Sequence, residues 1–221
     1  MRKKLSTLFK NCASEVEYIN VNDWVSYAFV EEDDTLYIYF EGSNEVQDWI
    51  ANFLFKKQPY KDMKIPYKVH RGFLTAWKEV EDIIIDKICE DTDDGYRWKH
   101  IVIVGYSHGG ALAFFACECV WYWRKDLRED GFEAFGFEAP RVFGDYKIPV
   151  CLKERWSNFT VIRTNNDLVT HVPPRLFRFC HAGSMLKIKG DTSLVDNKLP
   201  KCIKSHFPEV VLDALKKYES N

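Results

Sequence analysis

The sequence predicts an α/β fold, a mostly parallel central sheet with helices on both faces. Segments rich in aromatic and β-branched residues alternate along the chain with segments of helical periodicity. One middle segment, HIVIVGY (100–106), is apolar without alternation, as a strand buried on both faces requires. It runs straight through Gly105-Tyr106-Ser107-His108-Gly109 into apolar residues at helical spacing, the strand–turn–helix order of a parallel βα unit.

Taken in order, the chain opens on RKK, but the apolar run that follows is only Leu8-Phe9 before Lys10. A secretory signal needs a longer apolar core, so the expectation is a cytoplasmic protein, or one exported by a non-classical route. VSYAFV (25–30) and TLYIYFEG (35–42) have strand composition. PYKVHRGF (66–73) is a short strand leaving into a helix, and Phe73, Trp77, Val80, Ile84 and Ile88 recur at helical spacing as one amphipathic stripe. Ala111 to Trp123 is apolar nearly all round, which predicts a deeply packed helix. FEAFGFEAP (132–140) and FTVIRTNND (159–167) are further strands, and HFPEVVLDALKKY (206–218) is a closing helix. No repeat, low-complexity tract or linker divides residues 1–221, so a single domain is expected, long enough for a sizeable core.

Composition excludes several functions. Hydrophobic residues make up 46% and charged residues 29%, the balance of a globular protein. The net charge of −2 offers no basic field for a phosphate backbone, so no nucleic-acid partner is expected. No apolar run approaches a membrane span. The seven cysteines are odd in number and contain no C-x-x-C, which argues against a metal site and a disulfide framework. Cys180 and Cys202 flank a possible excursion and are the one candidate pair for an oxidising setting.

Ser107 sits in a G-x-S-x-G pattern. Such a serine occupies a sharp strand-to-helix turn, and the flanking glycines let strand and helix approach. Its oxygen is exposed at the carboxyl end of a strand, and the backbone N–H groups that open the helix can stabilise an oxyanion. A serine hydroxyl needs a base oriented by an acid to become a nucleophile. Asp167 ends a strand and is the candidate acid; His171, His181 and His206 are the candidate bases beyond it.

Further blocks accompany the turn. FEGSNEVQDWIANFLF (40–55), KVHRGF (68–73), GYSHGGALA (105–113), FEAPRVFGD (137–145), NNDLVTHVPP (165–174) and CHAGS (180–184) stand in this order. The chain resembles the class 3 lipases, the fungal triacylglycerol lipase-like α/β hydrolases. In that family these blocks carry the oxyanion strand and lid, V-H-x-G-F, G-H-S-L-G-G-A, G-x-P-R-V-G, the acid, and H-x-G. The resemblance implies the α/β-hydrolase fold and a Ser107–His206–Asp167 triad. The base is His206 because the family's base lies on or just before the last helix. It further implies an oxyanion hole from the N–H groups of Ser43 and His108. A helical lid over about 44–57 is implied too, whose apolar stripe is Val46, Trp49, Ile50 and Phe53. The implied activity is hydrolysis of lipid carboxylic esters without metal or organic cofactor, with transient contact to a lipid interface through the lid. A phospholipase A1, a feruloyl-type esterase, an acyltransferase and a non-catalytic lipid-binding module are alternatives on the same fold. Tyr106 and His108 depart from the family's histidine and leucine around the serine, and Glu41 from an arginine. His108 places a titratable group beside the nucleophile.

Overall fold

The computed structural model describes residues 3–42, 55–60, 66–196 and 198–220. Helix α1 (Leu5–Lys10) precedes strands β1 (Ile19–Asn22), β2 (Val25–Glu32) and β3 (Thr35–Phe40). A hairpin of β4 (Lys57–Tyr60) and β5 (Tyr67–His70) leads into α2 (Arg71–Lys78) and α3 (Glu81–Ile88). A second small hairpin, β6 (Asp91–Thr92) and β7 (Gly95–Tyr96), precedes β8 (His100–Tyr106) and α4 (His108–Trp123). Strands β9 (Phe132–Phe137), β10 (Phe159–Thr164) and β11 (Ser184–Ile188) follow, then α5 (Lys201–Lys204) and α6 (Pro208–Glu219).

Seven strands form one sheet in the order β1-β2-β3-β8-β9-β10-β11. The pairings from β3 through β8, β9 and β10 to β11 are parallel, and β1–β2 and β2–β3 are antiparallel. Strand alternation divides the core into two layers. Leu36, Ile38, Phe40, Ile101 and Ile103 face α2, α3 and α4. Tyr37, Tyr39, Val102 and Val104 face Leu8 and Phe9 of α1 and Val211, Ala214 and Leu215 of α6. Each fully buried large apolar side chain contributes about 1.5–3 kcal/mol, so α1 and α6, short as they are, are held by packing rather than by helix propensity.

Several sequence expectations change in detail. The apolar stripe from Phe73 to Ile88 is continuous and fully buried, but it lies on two helices. Glu79 and Val80 donate to Ala76 and Trp77, three residues back, which tightens and interrupts the helix there. The strand in PYKVHRGF pairs with β4 outside the central sheet. Strand β11 and helix α1 were not anticipated. Cys180 and Cys202 are both free. Cys180 is held by its N–H to the Phe143 carbonyl, whereas Cys202 lies in α5 and accepts from the Leu168 N–H, so the two sit on separately anchored segments.

Helix α4 carries one charge into the core, Glu118, fully buried among the apolar residues. Both carboxylate oxygens are satisfied, one by Arg155 and one by the Tyr67 hydroxyl. Burial pushes the Glu118 carboxyl up, against the opposing pull of Tyr67 and Arg155. Removing one partner of such a pair strands the other. Arg155→Ala should therefore lose about 3–5 kcal/mol of stability at neutral pH, measured by urea denaturation. Without Arg155 the folded-state Glu118 lies still further above its unfolded value. The deficit should then narrow as the pH falls and the carboxyl takes up a proton.

Candidate active site

Ser107 stands between β8 and α4 with φ 53° and ψ −119°. A non-glycine residue held in such a conformation costs about 1–3 kcal/mol and persists only where its surroundings enforce it. Here the Ser107 N–H donates to the Phe137 carbonyl at 2.9 Å, and the Ser107 carbonyl accepts from Gly110 N–H at 3.0 Å. The glycines on either side are required sterically. A Cβ on Gly105 would lie 2.0 Å from the Gly109 carbonyl oxygen, and one on Gly109 would lie 2.2 Å from that of Phe40. Neither contact is compatible with a side chain.

The turn between α5 and α6 places His206 against the serine. His206 Nε2 lies 2.8 Å from Ser107 Oγ, and His206 Nδ1 lies 2.7 Å from Asp167 Oδ2. The carboxylate selects the tautomer that donates from Nδ1 and leaves Nε2 to accept the serine proton. Asp167 Oδ1 accepts from the Val169 N–H at 2.8 Å. Ser107, His206 and Asp167 are 2%, 3% and 0% exposed, so their hydrogen bonds act in a medium of low dielectric. Burial alone would raise the Asp167 carboxyl, but His206, a hydrogen bond with Glu138 and the Val169 N–H together hold it below the usual carboxylate range.

The other histidines are engaged elsewhere. His171 Nδ1 contacts the Asp167 backbone carbonyl at 2.8 Å, and His181 Nε2 the Thr170 carbonyl at 2.9 Å. His70 caps α2 by accepting from the Phe73 N–H. His108 opens α4, where the first N–H groups of a helix have no acceptor within it; its amide is thus available to an oxyanion. Its side chain is buried beside Phe73, and burial, aided by His70, brings its pKa down to about 4. The titratable group next to the nucleophile is therefore neutral at ordinary pH.

Ser43 and the stripe Val46, Trp49, Ile50 and Phe53 lie outside the described residues. Of the span 44–57, only its end is described. Phe55 packs on Phe177 with ring centroids 4.7 Å apart, and Lys57 already belongs to β4, so the helical lid expected there does not extend through residue 57.

Two contacts escaped the sequence reading. The Tyr106 ring stacks on the His206 imidazole at 5.2 Å, and its hydroxyl donates to the His206 carbonyl. The Glu138 carboxyl, fully buried at the end of β9, lies beside Asp167 and His206, with one ligand-capable atom of each residue within 4.8 Å of the others. Such a trio has the residue types of a metal site. Both imidazole nitrogens are already committed to Ser107 and Asp167, so an ion would have to break one of those bonds. The signals for Glu138 were an acidic residue closing an apolar strand and its place at the glycine of the G-x-P-R-V-G block.

Comparison with known proteins places this geometry. The family model for Lipase (class 3) matches residues 37–177. A lipase of Rhizomucor miehei is 29% identical over 159 residues, covering 69% of this chain and 41% of its own length. A secreted mono- and diacylglycerol lipase of Fusarium solani is 30% identical over 159 residues, 70% of this chain and 45% of its own. The chain thus spans less than half the length of these curated relatives. A solved triacylglycerol lipase, whose catalytic centre is described as a serine protease triad, matches with a TM-score of 0.67 at 25% identity, over 80% of this chain and 67% of that one. The sheet and its flanking helices are those of the α/β-hydrolase fold.

The relatives also correct the cytoplasmic expectation, because those of Fusarium solani and Malassezia restricta are secreted. That expectation rested on the first residues of a chain that spans only part of its relatives, and such residues carry no information on export.

The neutral His108 has a thermodynamic consequence. Its folded pKa of about 4 lies below the ordinary 6.5, so between those values the unfolded chain binds more protons and stability falls with acidification. Thermal denaturation at pH 7 and pH 5 should show a smaller drop in Tm for His108→Leu than for the parent protein. An equal drop would mean that His108 is not buried neutral.

Proposed function

The chain belongs to the class 3 lipase family, and on that premise we propose that it hydrolyses carboxylic ester bonds of lipids, acylglycerols foremost, through an acyl-enzyme on Ser107. The observation that carries this is the unbroken chain of hydrogen bonds from Ser107 Oγ through His206 to Asp167. His206 Nε2 takes the hydroxyl proton as Oγ attacks the ester carbonyl, and Asp167 stabilises the imidazolium that forms. The developing oxyanion is met by the His108 N–H, at the positive end of the α4 dipole; the second donor implied by the family resemblance, Ser43, lies outside the described residues. His206 then protonates the leaving alcohol. Water, activated by the same imidazole, releases the fatty acid and restores the serine. The chemistry asks for no metal or organic cofactor.

A lipid substrate is supported by the relatives, named as lipases and as mono- and diacylglycerol lipases. It is also supported by apolar side chains left in the open beyond the acid. Leu168, next to Asp167, is 37% exposed, Leu176 81%, and Phe177 46%. Apolar surface of that kind suits acyl chains and transient contact with a lipid interface.

A fluorophosphonate probe should label the wild-type protein at Ser107 and leave Ser107→Ala unlabelled, with hydrolysis of a short soluble ester abolished in parallel. A folded protein that neither labels nor turns over ester would instead be a lipid-binding module. Asp167→Asn and His206→Ala should each lower kcat by about 10⁴-fold, with the double variant little worse than either single one because the residues act as a unit.

A further inference from the structure

Among the described acids, Glu138 alone combines full burial with a left-handed backbone. It takes φ 49°, in the left-handed region that disfavours a side chain, and it stands where the G-x-P-R-V-G block has its glycine. Its backbone and side chain are both fixed to β10: Glu138 N–H donates to the Ile162 carbonyl at 2.8 Å, and Oε1 accepts from the Thr164 N–H at 2.7 Å. Oε2 is fully buried, and no N–H or hydroxyl of the described residues reaches it. Beside its carboxyl stands that of Asp167, with an oxygen of each within 4.8 Å of the other.

Two buried carboxyl groups at that separation repel as anions, and one proton shared between them removes the repulsion. The donors around them decide where it sits. Asp167 receives the His206 Nδ1–H and the Val169 N–H, whereas Glu138 Oε1 receives the Thr164 N–H, the Thr164 hydroxyl donating to the Ser205 carbonyl. The better-solvated carboxylate is Asp167, and the proton belongs on Glu138 Oε2. Burial first, and then the Asp167 charge, push the Glu138 carboxyl well up, in agreement with the geometry.

We propose that Glu138 is a positioning residue, a neutral carboxylic acid whose O–H donates to Asp167 and extends the hydrogen-bond chain Ser107–His206–Asp167 by a fourth member anchored on β10. The bond fixes the Asp167 carboxylate toward His206 Nδ1 and spreads its charge without adding another. It gives a buried oxygen the partner it lacks and gives the strained backbone at residue 138 a use. No atom of Glu138 touches the serine or the ester; it acts through Asp167. The role rests on the triad proposed above, but the protonation state does not.

The test has a spectroscopic arm and a kinetic arm. Infrared difference spectra of the wild-type protein with ¹³C-labelled glutamate should contain, at neutral pH, a carboxylic-acid C=O band that shifts with the label. Among the described residues Glu118 is the other deeply buried glutamate, so the band should survive in Glu118→Gln and vanish when Glu138→Gln is added to it. No such band in Glu118→Gln, or one that persists in the Glu118→Gln, Glu138→Gln double variant, overturns the proposal whether or not the protein proves to be an esterase. In kinetics on a soluble ester, Glu138→Leu, close in size but without polar atoms, should lower kcat about 10–100-fold, the loss seen when an outer hydrogen-bond partner of a functional group is removed. KM should change little. Glu138→Gln, whose amide can donate to Asp167 and accept from Thr164, should restore most of that loss. If the two variants fall together, or if KM rather than kcat moves, Glu138 is a packing residue and the inference fails.

Discussion

Two backbones meet at the turn between β8 and α4, and much of the molecule is arranged around that meeting. The Gly109 backbone leaves no space for a Cβ on Gly105, and the Phe40 carbonyl at the end of β3 leaves none for one on Gly109. This proximity drives the helix hard against the end of its strand, twists Ser107 into a conformation it would not adopt alone, and sets the helix N-terminus beside the serine oxygen. The strain is supported by what surrounds it: a parallel sheet buried on both faces, and α4, among whose residues His108 to Val120 are all buried. Nucleophile and oxyanion donor are thus two outcomes of one steric constraint.

Around the turn the protein handles buried charge in two ways. In the core, Glu118 meets a cation and a hydroxyl, and its cost is offset locally. At the site, Asp167 is surrounded by donors rather than by a full positive charge. A fixed cation there would compete for the carboxylate with the imidazolium that the chemistry needs. Donors stabilise the carboxylate while leaving His206 as its counter-charge once the proton has moved.

The parts of this design that depend on neighbours in the chain were legible in the sequence. The continuous apolar strand, the glycine turn and the buried helix after it are local patterns, and they reappear as β8, Ser107 and α4. The division of the 73–88 stripe between two helices was not legible, because a two-residue interruption leaves the apolar spacing intact. Strand β11 was hidden for a related reason. It lies at the sheet edge, with Ser184, Met185 and Lys187 exposed, and so lacks the apolar signature of a central strand. Three histidines remained open as partners of the serine on residue pattern alone, and only the family blocks singled out His206. The distance between His206 and Ser107 is set by how α6 docks on the sheet, a long-range property that no local window contains. Glu138 stayed unread because an acid after a strand ordinarily marks the return of the chain to water, and here the chain turns inward.

The base is also supported from the opposite end of the chain. Phe9 of α1 meets Tyr106 edge-on at 5.3 Å, Tyr106 stacks on His206, and the Ser6 N–H donates to the Glu219 carboxylate at 2.9 Å, at the far end of the helix that follows His206. Helices α1 and α6 thereby close like a clasp across one face of the sheet. A pull applied to residues before Leu5 and after Glu219 would load this clasp before any strand. Once it opened, the imidazole would lose its backing while the serine turn, held by the sheet alone, stayed intact. Mechanically the site has a firm half and a releasable half, and the releasable half is the one that moves protons.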